Sequence, residues 1–139
     1  MLFSLTYKSR ALIDFDRYEL YALLAQARTK NASLNITGML LYHNKHFIQT
    51  LEGEKETVLN IFESIVDDSR HVHVKKMTES EIEKRVYPNW SMGFKKIHPE
   101  EYRNIPALTL FMEEDNLSHL NNVADDLMIN FKINSQTLL

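Results

Sequence analysis

The 139-residue chain contains no cysteine and only three glycines. Without cysteine it can form neither disulfides nor thiolate metal sites, and it has no cysteine nucleophile. The three glycines, Gly38, Gly53 and Gly93, are at least 15 positions apart, so neither a GxGxxG fingerprint nor a P-loop can exist here. These absences exclude the commonest families of nucleotide-binding enzymes.

Long apolar runs and an excess of basic charge are also missing. No apolar stretch approaches the roughly 18 residues that a membrane-spanning helix needs, and the apolar start at residues 1–5 is too short for a signal sequence. The net charge of −3 provides no basic surface for nucleic acid or anionic lipid. With 44% apolar and 25% charged residues, we expect a globular cytoplasmic protein with no membrane or nucleic-acid partner.

The apolar patterning of the first half predicts a strand, a helix and a β-hairpin. Residues 2–6 alternate as in a half-buried strand. Asp16 and Glu19 form a capping-box pattern that opens an amphipathic helix, and Asn31 is expected to be its C-cap. The apolar run 36–42 predicts a central strand, 43–46 a hairpin loop, and 47–51 the returning strand.

The patterning of the second half predicts a second helix and two further strands. A helix begins near Glu54, with an apolar stripe that includes Ile65, and strands follow at 71–77 and 90–95. The order βαββαββ, with two helices burying one face against one sheet, predicts a ferredoxin-like α+β sandwich over residues 1–95. Residues 96–139 carry apolar positions at helical spacing between 117 and 131, and predict a C-terminal helical cap for cover or signal output.

Three polar residues interrupt apolar patterns. Gln49 lies mid-strand, Tyr7 ends the apolar face of the first strand, and Asn31 closes the first helix. Taken alone, each residue has an ordinary structural interpretation, as a solvent-facing glutamine, a core tyrosine and a helix cap respectively. Together they suit the polar edge of a flat heteroaromatic ligand bound between the helices, because carboxamides offer a donor and an acceptor side by side.

The alternatives are a small ferredoxin-like enzyme and a module that only binds its ligand. His71 and His73 are two positions apart on a predicted strand and so share a face. A metal site built on them would need a third ligand that the sequence does not offer, so no metal is expected. RNA binding on this fold would need surface aromatics with basic flanks, which the acidic balance disfavours.

Six blocks of sequence resemble the BLUF domain, a small flavin-binding blue-light sensor. In chain order they are LTYKS (5–9), LLAQAR with Asn31 (23–31), ITGMLLY (36–42), FIQTLEG (47–53), DSRH (68–71) and RVYPNWSMGF (85–94). They cover residues 1 to about 95 and include all three glycines. The remaining residues 96–139 resemble the helical extension of short, stand-alone members, which have no fused enzyme.

The resemblance implies a role for each matching polar residue. Tyr7 corresponds to the photoactive tyrosine that gives an electron and then a proton. Gln49 corresponds to the glutamine between that tyrosine and the flavin, left rotated or tautomerised afterwards. Asn31 corresponds to the asparagine at the ring's polar edge. Trp90 and Met92 correspond to the pair near the glutamine that shifts as the signal forms; which of them faces the flavin is left open.

Four further positions are implied to bind the flavin. Arg70 and, less directly, Asp68 would lie near its polar side, while Leu23 and Ile65 would form apolar walls, one from each helix. The position before Asn31, histidine in some members, is Lys30 here.

The resemblance also implies the cofactor and the partners. FAD is expected as the cofactor, and FMN or riboflavin would share the same ring contacts. The signal would pass to a separate downstream protein, from a homo-oligomer with no enzymatic activity of its own.

Overall fold

The computed structural model describes residues 1–100, which form a five-stranded mixed sheet and two helices. The elements are β1 (Leu2–Ala11), α1 (Arg17–Ser33), β2 (Thr37–His43), β3 (His46–Glu54), α2 (Lys55–Val66), β4 (His71–Glu81) and β5 (Gly93–Lys96). The strand order is β4-β1-β3-β2-β5. Only β2 and β5 pair in parallel, and the other neighbours are antiparallel. The predicted βαββαββ order and ferredoxin-like fold are confirmed.

The core lies between the helices and one face of the sheet. Alternate residues of β1, β2 and β3 contribute one side of it, and the apolar stripes of α1 and α2 contribute the other. Its buried members include Phe3, Leu5, Leu40, Tyr42, Leu51, Leu20, Leu24, Val58 and Ile61. Burying each such side chain stabilises the fold by about 1.5–3 kcal/mol, which is why the period-2 and period-3.6 patterns predict the elements correctly.

Helix α1 begins as predicted and ends later than predicted. The Asp16 carboxylate accepts from the backbone N–H of Glu19 at 2.8 Å, and the Glu19 carboxylate accepts from the N–H of Asp16 at 3.1 Å. The prediction that Asn31 is the C-cap is wrong, because the helix runs on to Ser33 and Leu34 is the cap. The Asn31 side chain turns into the protein instead and is only 4% exposed.

The hairpin and the last strand also differ from the predicted bounds. Strands β2 and β3 stay paired as far as His43 and His46, so the turn is only two residues long. Asn44 and Lys45 adopt φ angles of 45° and 69°, the left-handed pair that a tight type I′ hairpin requires. Strand β5 starts at Gly93, three residues later than predicted, because its pairing with β2 begins there. Trp90 and Met92 therefore lie in the connecting segment 82–92.

The predicted C-terminal cap lies outside the described residues, apart from its first positions. Strand β5 ends at Lys96, one residue past the predicted boundary at 95. Within residues 1–100, neither helix has the length and apolar character required to span a membrane.

Candidate functional site

A cavity of about 460 Å³ opens between α1 and α2 over the helix-facing side of the sheet. Its volume is in the usual range of small-molecule and cofactor sites. Seven of the predicted site residues line it: Tyr7, Leu23, Asn31, Gln49, Ile65, Asp68 and Arg70. Trp90 and Met92 are not part of the lining. The cavity is thus bounded by apolar side chains of both helices, with amide and phenol groups toward the sheet.

Tyr7 and Gln49 meet at the sheet side of the cavity. They are directly opposite each other in the antiparallel β1–β3 pairing, and the Tyr7 hydroxyl donates a hydrogen bond to Gln49 Oε1. Burial raises the pKa of Tyr7 well above its usual value, and the nearby Asp68 carboxylate raises it further. The phenol is therefore neutral at physiological pH, with its proton directed at the carboxamide.

The other end of the Gln49 carboxamide contacts Met92. Gln49 Nε2 donates to Met92 Sδ at 3.3 Å, and Met92 is 1% exposed. A thioether sulfur can only accept a hydrogen bond, and only weakly. Phenol, carboxamide and thioether thus form one hydrogen-bonded chain, in which both polar ends of a buried mid-strand amide have a partner.

Trp90 lies outside this chain. Its ring stacks on that of Tyr87, with the centroids 6.0 Å apart and the planes inclined by 29°. It also covers Gly93, where a Cβ atom would come within 2.3 Å of the indole. Of the two residues predicted to lie near the glutamine, Met92 is therefore the one in contact with it.

Helix α1 holds the segment that carries Met92. Asn31 Nδ2 donates to the carbonyl of Ser91 at 3.0 Å, and Arg28 Nε donates to the carbonyl of Met92 at 2.9 Å. Arg28 was not among the predicted site residues. From sequence alone, its place near the C-terminal end of the helix predicts only a favourable interaction with the helix dipole.

Asp68 and Arg70 form an ion pair at the rim of the cavity. Arg70 Nε lies 3.0 Å from both carboxylate oxygens of Asp68, and Nη2 lies 2.6 Å from Oδ2. The pair holds the pKa of Asp68 below its usual value and raises that of Arg70. Both side chains are partly exposed, so the pair places a guanidinium and a carboxylate, with no net charge between them, at the cavity mouth.

The two strand histidines do not form a metal site. His71 Nδ1 lies 2.9 Å from Ser9 Oγ, and its Nε2 lies 2.5 Å from the carbonyl of Ile65, so both ring nitrogens have protein partners. His73 is exposed and has a left-handed φ of 55°. Within residues 1–100 no group of three or more His, Cys, Asp or Glu side chains could hold a metal ion.

Glu52, a second residue that the sequence analysis did not identify, anchors the middle of the connecting segment 82–92. It is completely buried. Its Oε1 accepts from Thr37 Oγ1 at 3.1 Å and from the N–H of Tyr87 at 2.9 Å, and its Oε2 accepts from the N–H of Val86 at 2.7 Å. A carboxylate directly after the predicted strand 47–51 was the available sequence signal, because a buried charge requires several hydrogen-bond partners.

The family model described as BLUF, sensors of blue light using FAD, matches residues 2–93. A photoactivated adenylate cyclase subunit beta from Euglena longa is 41% identical over 92 residues, which are 66% of this chain and 11% of that protein. A subunit alpha from Euglena gracilis is 41% identical over 86 residues, 62% of this chain and 8% of that protein. The chain spans only about a tenth of these relatives' length, so their cyclase activity does not follow for it.

Two solved structures match over almost their whole length. The dark-state structure of BlrB, a BLUF protein, has a TM-score of 0.74 and 27% identity, covering 93% of this chain and 96% of that one. The ground state of BlsA has a TM-score of 0.78 and 28% identity, covering 100% of this chain and 92% of that one.

The cavity fits the cofactor named by the family description. Apolar walls from two helices suit a flat ring system, the carboxamides suit its polar edge, and the partly exposed Arg70 guanidinium, although paired with Asp68, places N–H donors at the rim for a polar tail. The matched region is a light-sensing domain rather than an enzyme. The family match and the cavity agree, and the chain belongs to the BLUF family of blue-light sensors that bind and use the flavin FAD.

Proposed function

We propose that Tyr7, Gln49 and Met92 are the light-responsive part of this photoreceptor. The observation that carries the proposal is their unbroken hydrogen-bonded chain, from the Tyr7 hydroxyl through the Gln49 carboxamide to the Met92 sulfur. Tyr7 and Gln49 line the cavity between α1 and α2, and Met92 lies in the segment just before β5. A change at the cavity can therefore reach the backbone of the sheet through three side chains.

The same cavity supports a set of cofactor contacts. Leu23 and Ile65 would hold the ring from the two helices, Asn31 and Gln49 would meet its polar edge, and Arg70, paired with Asp68, would face its polar side. FMN or riboflavin would use the same ring contacts. When bound, the flavin supplies the absorption of blue light and a strong one-electron oxidant.

Tyr7 is the side chain placed to be oxidised. A neutral phenol becomes strongly acidic once it loses an electron, and the Tyr7 proton already points at Gln49 Oε1. When the electron returns to Tyr7 a proton returns with it, and Gln49 is left either rotated or, with one hydrogen moved from Nε2 to Oε1, tautomerised. After rotation Oε1 would face Met92, and a thioether cannot donate to it; after tautomerisation Nε2 would carry one hydrogen in place of two, which weakens the contact with the sulfur. The predicted outcome is release of Met92 from the carboxamide.

Release of Met92 would alter the start of β5, which pairs in parallel with the central strand β2. We propose that a separate downstream signalling protein recognises this conformational change. As in the short BLUF proteins that the sequence resembles, we further propose that the chain acts as a homo-oligomer in the cytoplasm.

The test is purification in the dark, followed by absorption spectra before and after blue light. The wild-type protein should carry a flavin spectrum that shifts to the red on illumination and reverts in the dark. Tyr7→Phe should bind flavin and show no shift. Tyr42→Phe is the matched control: Tyr42 is also a buried, hydrogen-bonded strand tyrosine, with Asp14 as its partner, and it should shift like wild type. A full shift in Tyr7→Phe would contradict the proposal.

A further inference from the structure

Arg28 and Asn31 lie one helical turn apart on α1 and donate to two successive backbone carbonyls. Arg28 Nε is 2.9 Å from the carbonyl oxygen of Met92, and Asn31 Nδ2 is 3.0 Å from that of Ser91. Asn31 lines the cavity, whereas Arg28 does not. The two side chains together tie the C-terminal part of α1 to Ser91 and to Met92, the residue whose sulfur contacts Gln49.

The environment of the Arg28 guanidinium is energetically unfavourable, which is unexpected for a residue whose only role is at the surface. Its guanidinium is partly buried, and burial lowers its pKa. Within residues 1–100 its Nη2 is buried and has no hydrogen-bond partner, and an unsatisfied buried donor destabilises a fold. A favourable interaction with the helix dipole would need no burial, as Lys30 in the last turn shows by remaining exposed.

We propose that Arg28 is a positioning residue that holds Met92 against Gln49 in the dark and so sets the lifetime of the light-induced state. The carbonyl and the thioether belong to one residue, so a charge-assisted bond to the carbonyl restricts where the sulfur can lie. Return to the dark state must bring Met92 back to this carbonyl position. The inference rests on the proposed function, because it assumes that Met92 leaves the carboxamide after illumination.

The test compares three variants of the full chain loaded with FAD. Arg28→Met removes the donor and keeps much of the side-chain volume, and Arg28→Lys keeps a charged donor. The control is Arg17→Met, on the same helix, where Arg17 is exposed and, among residues 1–100, donates to Tyr21. Thermal recovery after a blue flash should be roughly threefold to tenfold slower in Arg28→Met, intermediate in Arg28→Lys and unchanged in Arg17→Met.

A second readout separates this inference from the proposed function. The ¹³C-methyl NMR signal of Met92, assigned with Met92→Leu, should move in dark Arg28→Met and stay in place in Arg17→Met. If wild type shows the red shift while Arg28→Met recovers at the wild-type rate, the inference fails and the proposed function stands. If wild type shows no shift, the proposed function fails, and an unmoved Met92 signal would still overturn the positioning role. Should Arg28→Met not fold, an unchanged recovery rate in Arg28→Lys overturns it.

Discussion

Tyr7 and Gln49 are directly opposite each other across the antiparallel pair of β1 and β3, and their side chains are hydrogen-bonded on the helix-facing side of the sheet. The neighbouring cross-strand pair, Thr6 and Thr50, is hydrogen-bonded at 2.7 Å and equally buried. Because successive residues of a strand point to opposite faces, this second pair lies on the far face of the sheet. The two hydrogen-bonded pairs therefore occupy opposite sides of the sheet.

This arrangement predicts a different outcome for each pair. Gln49→Leu should abolish the light-induced red shift and lower the free energy of unfolding by about 1–3 kcal/mol, because the buried Tyr7 hydroxyl loses its acceptor. Thr50→Val removes the matching hydroxyl on the far face and should leave the light response intact. Absorption spectra and urea unfolding at a fixed FAD concentration measure the two effects.

The double variant Tyr7→Phe/Gln49→Leu sharpens this prediction. It removes both partners at once, so no buried polar group is left unpaired. Its loss of stability should be smaller than the sum of the two single losses by about 0.5–3 kcal/mol. Additive losses would show that the phenol and the carboxamide are not coupled.

The packing of Trp90 on Gly93 gives an optical test of the segment before β5. In Gly93→Ala the new Cβ would lie within 2.3 Å of the indole, so the ring must leave its place on Tyr87. Trp90 is the only tryptophan of the chain, so its fluorescence should shift to longer wavelength, with a loss of about 1–3 kcal/mol in stability. Ala25→Ser, on the exposed side of α1, is the control, and an unchanged emission maximum in Gly93→Ala would refute the observed stacking.

The sequence predicted the order of elements because each element buries one face, which leaves a periodic pattern. The predicted element bounds are wrong where a contact with a residue distant in sequence determines where the element begins or ends. Asparagine is a residue type that is common at helix ends. The Asn31 carboxamide, however, donates to the carbonyl of Ser91, 60 residues away, and the helix continues past Asn31. Gly93 begins β5 only because β2 offers pairing from that point.

The site was predicted in part for a similar reason. Tyr7 and Gln49 interrupt an apolar pattern, so the sequence marks them. Arg28 and Glu52 bind backbone groups of Met92, Val86 and Tyr87, which are 34 to 64 residues distant. Every residue carries the same backbone groups, so nothing in the sequence marks these partners.

Two buried tyrosines predict how stability changes in alkali. Burial raises the pKa of Tyr7, and burial together with the Asp14 hydrogen bond raises the pKa of Tyr42 to about 12. The unfolded chain, with phenol pKa values near 10, loses these protons first as the pH rises. The stabilisation is complete below about pH 9 and is lost progressively above pH 10.

Tyr42→Phe should therefore weaken the alkaline loss of stability. Between pH 10 and pH 12 its unfolding free energy should fall less steeply than that of wild type, by about 1 kcal/mol per pH unit. Urea unfolding at a series of pH values measures the slope, and Tyr18→Phe, at a position 81% exposed, should leave it unchanged. Equal slopes in Tyr42→Phe and wild type would show that the Tyr42 phenol titrates normally.

The buried carboxylate of Glu52 predicts that even an isosteric amide is destabilising. Both of its oxygens accept hydrogen bonds, two on Oε1 and one on Oε2. In Glu52→Gln one position becomes an NH₂ group that must face a backbone N–H, so a donor meets a donor. The free energy of unfolding should fall by about 1–3 kcal/mol.

Glu54→Gln is the matched control for Glu52→Gln on the same strand. Glu54 is exposed, and its carboxylate contacts the N-terminal amine at 3.0 Å, so its loss should change stability by less than about 1 kcal/mol. Because Glu52 holds the N–H groups of Val86 and Tyr87, Glu52→Gln should also increase amide hydrogen exchange at these two positions, whereas Glu54→Gln should not. Equal effects of the two variants would mean that the Glu52 carboxylate does not anchor the segment that leads to Met92.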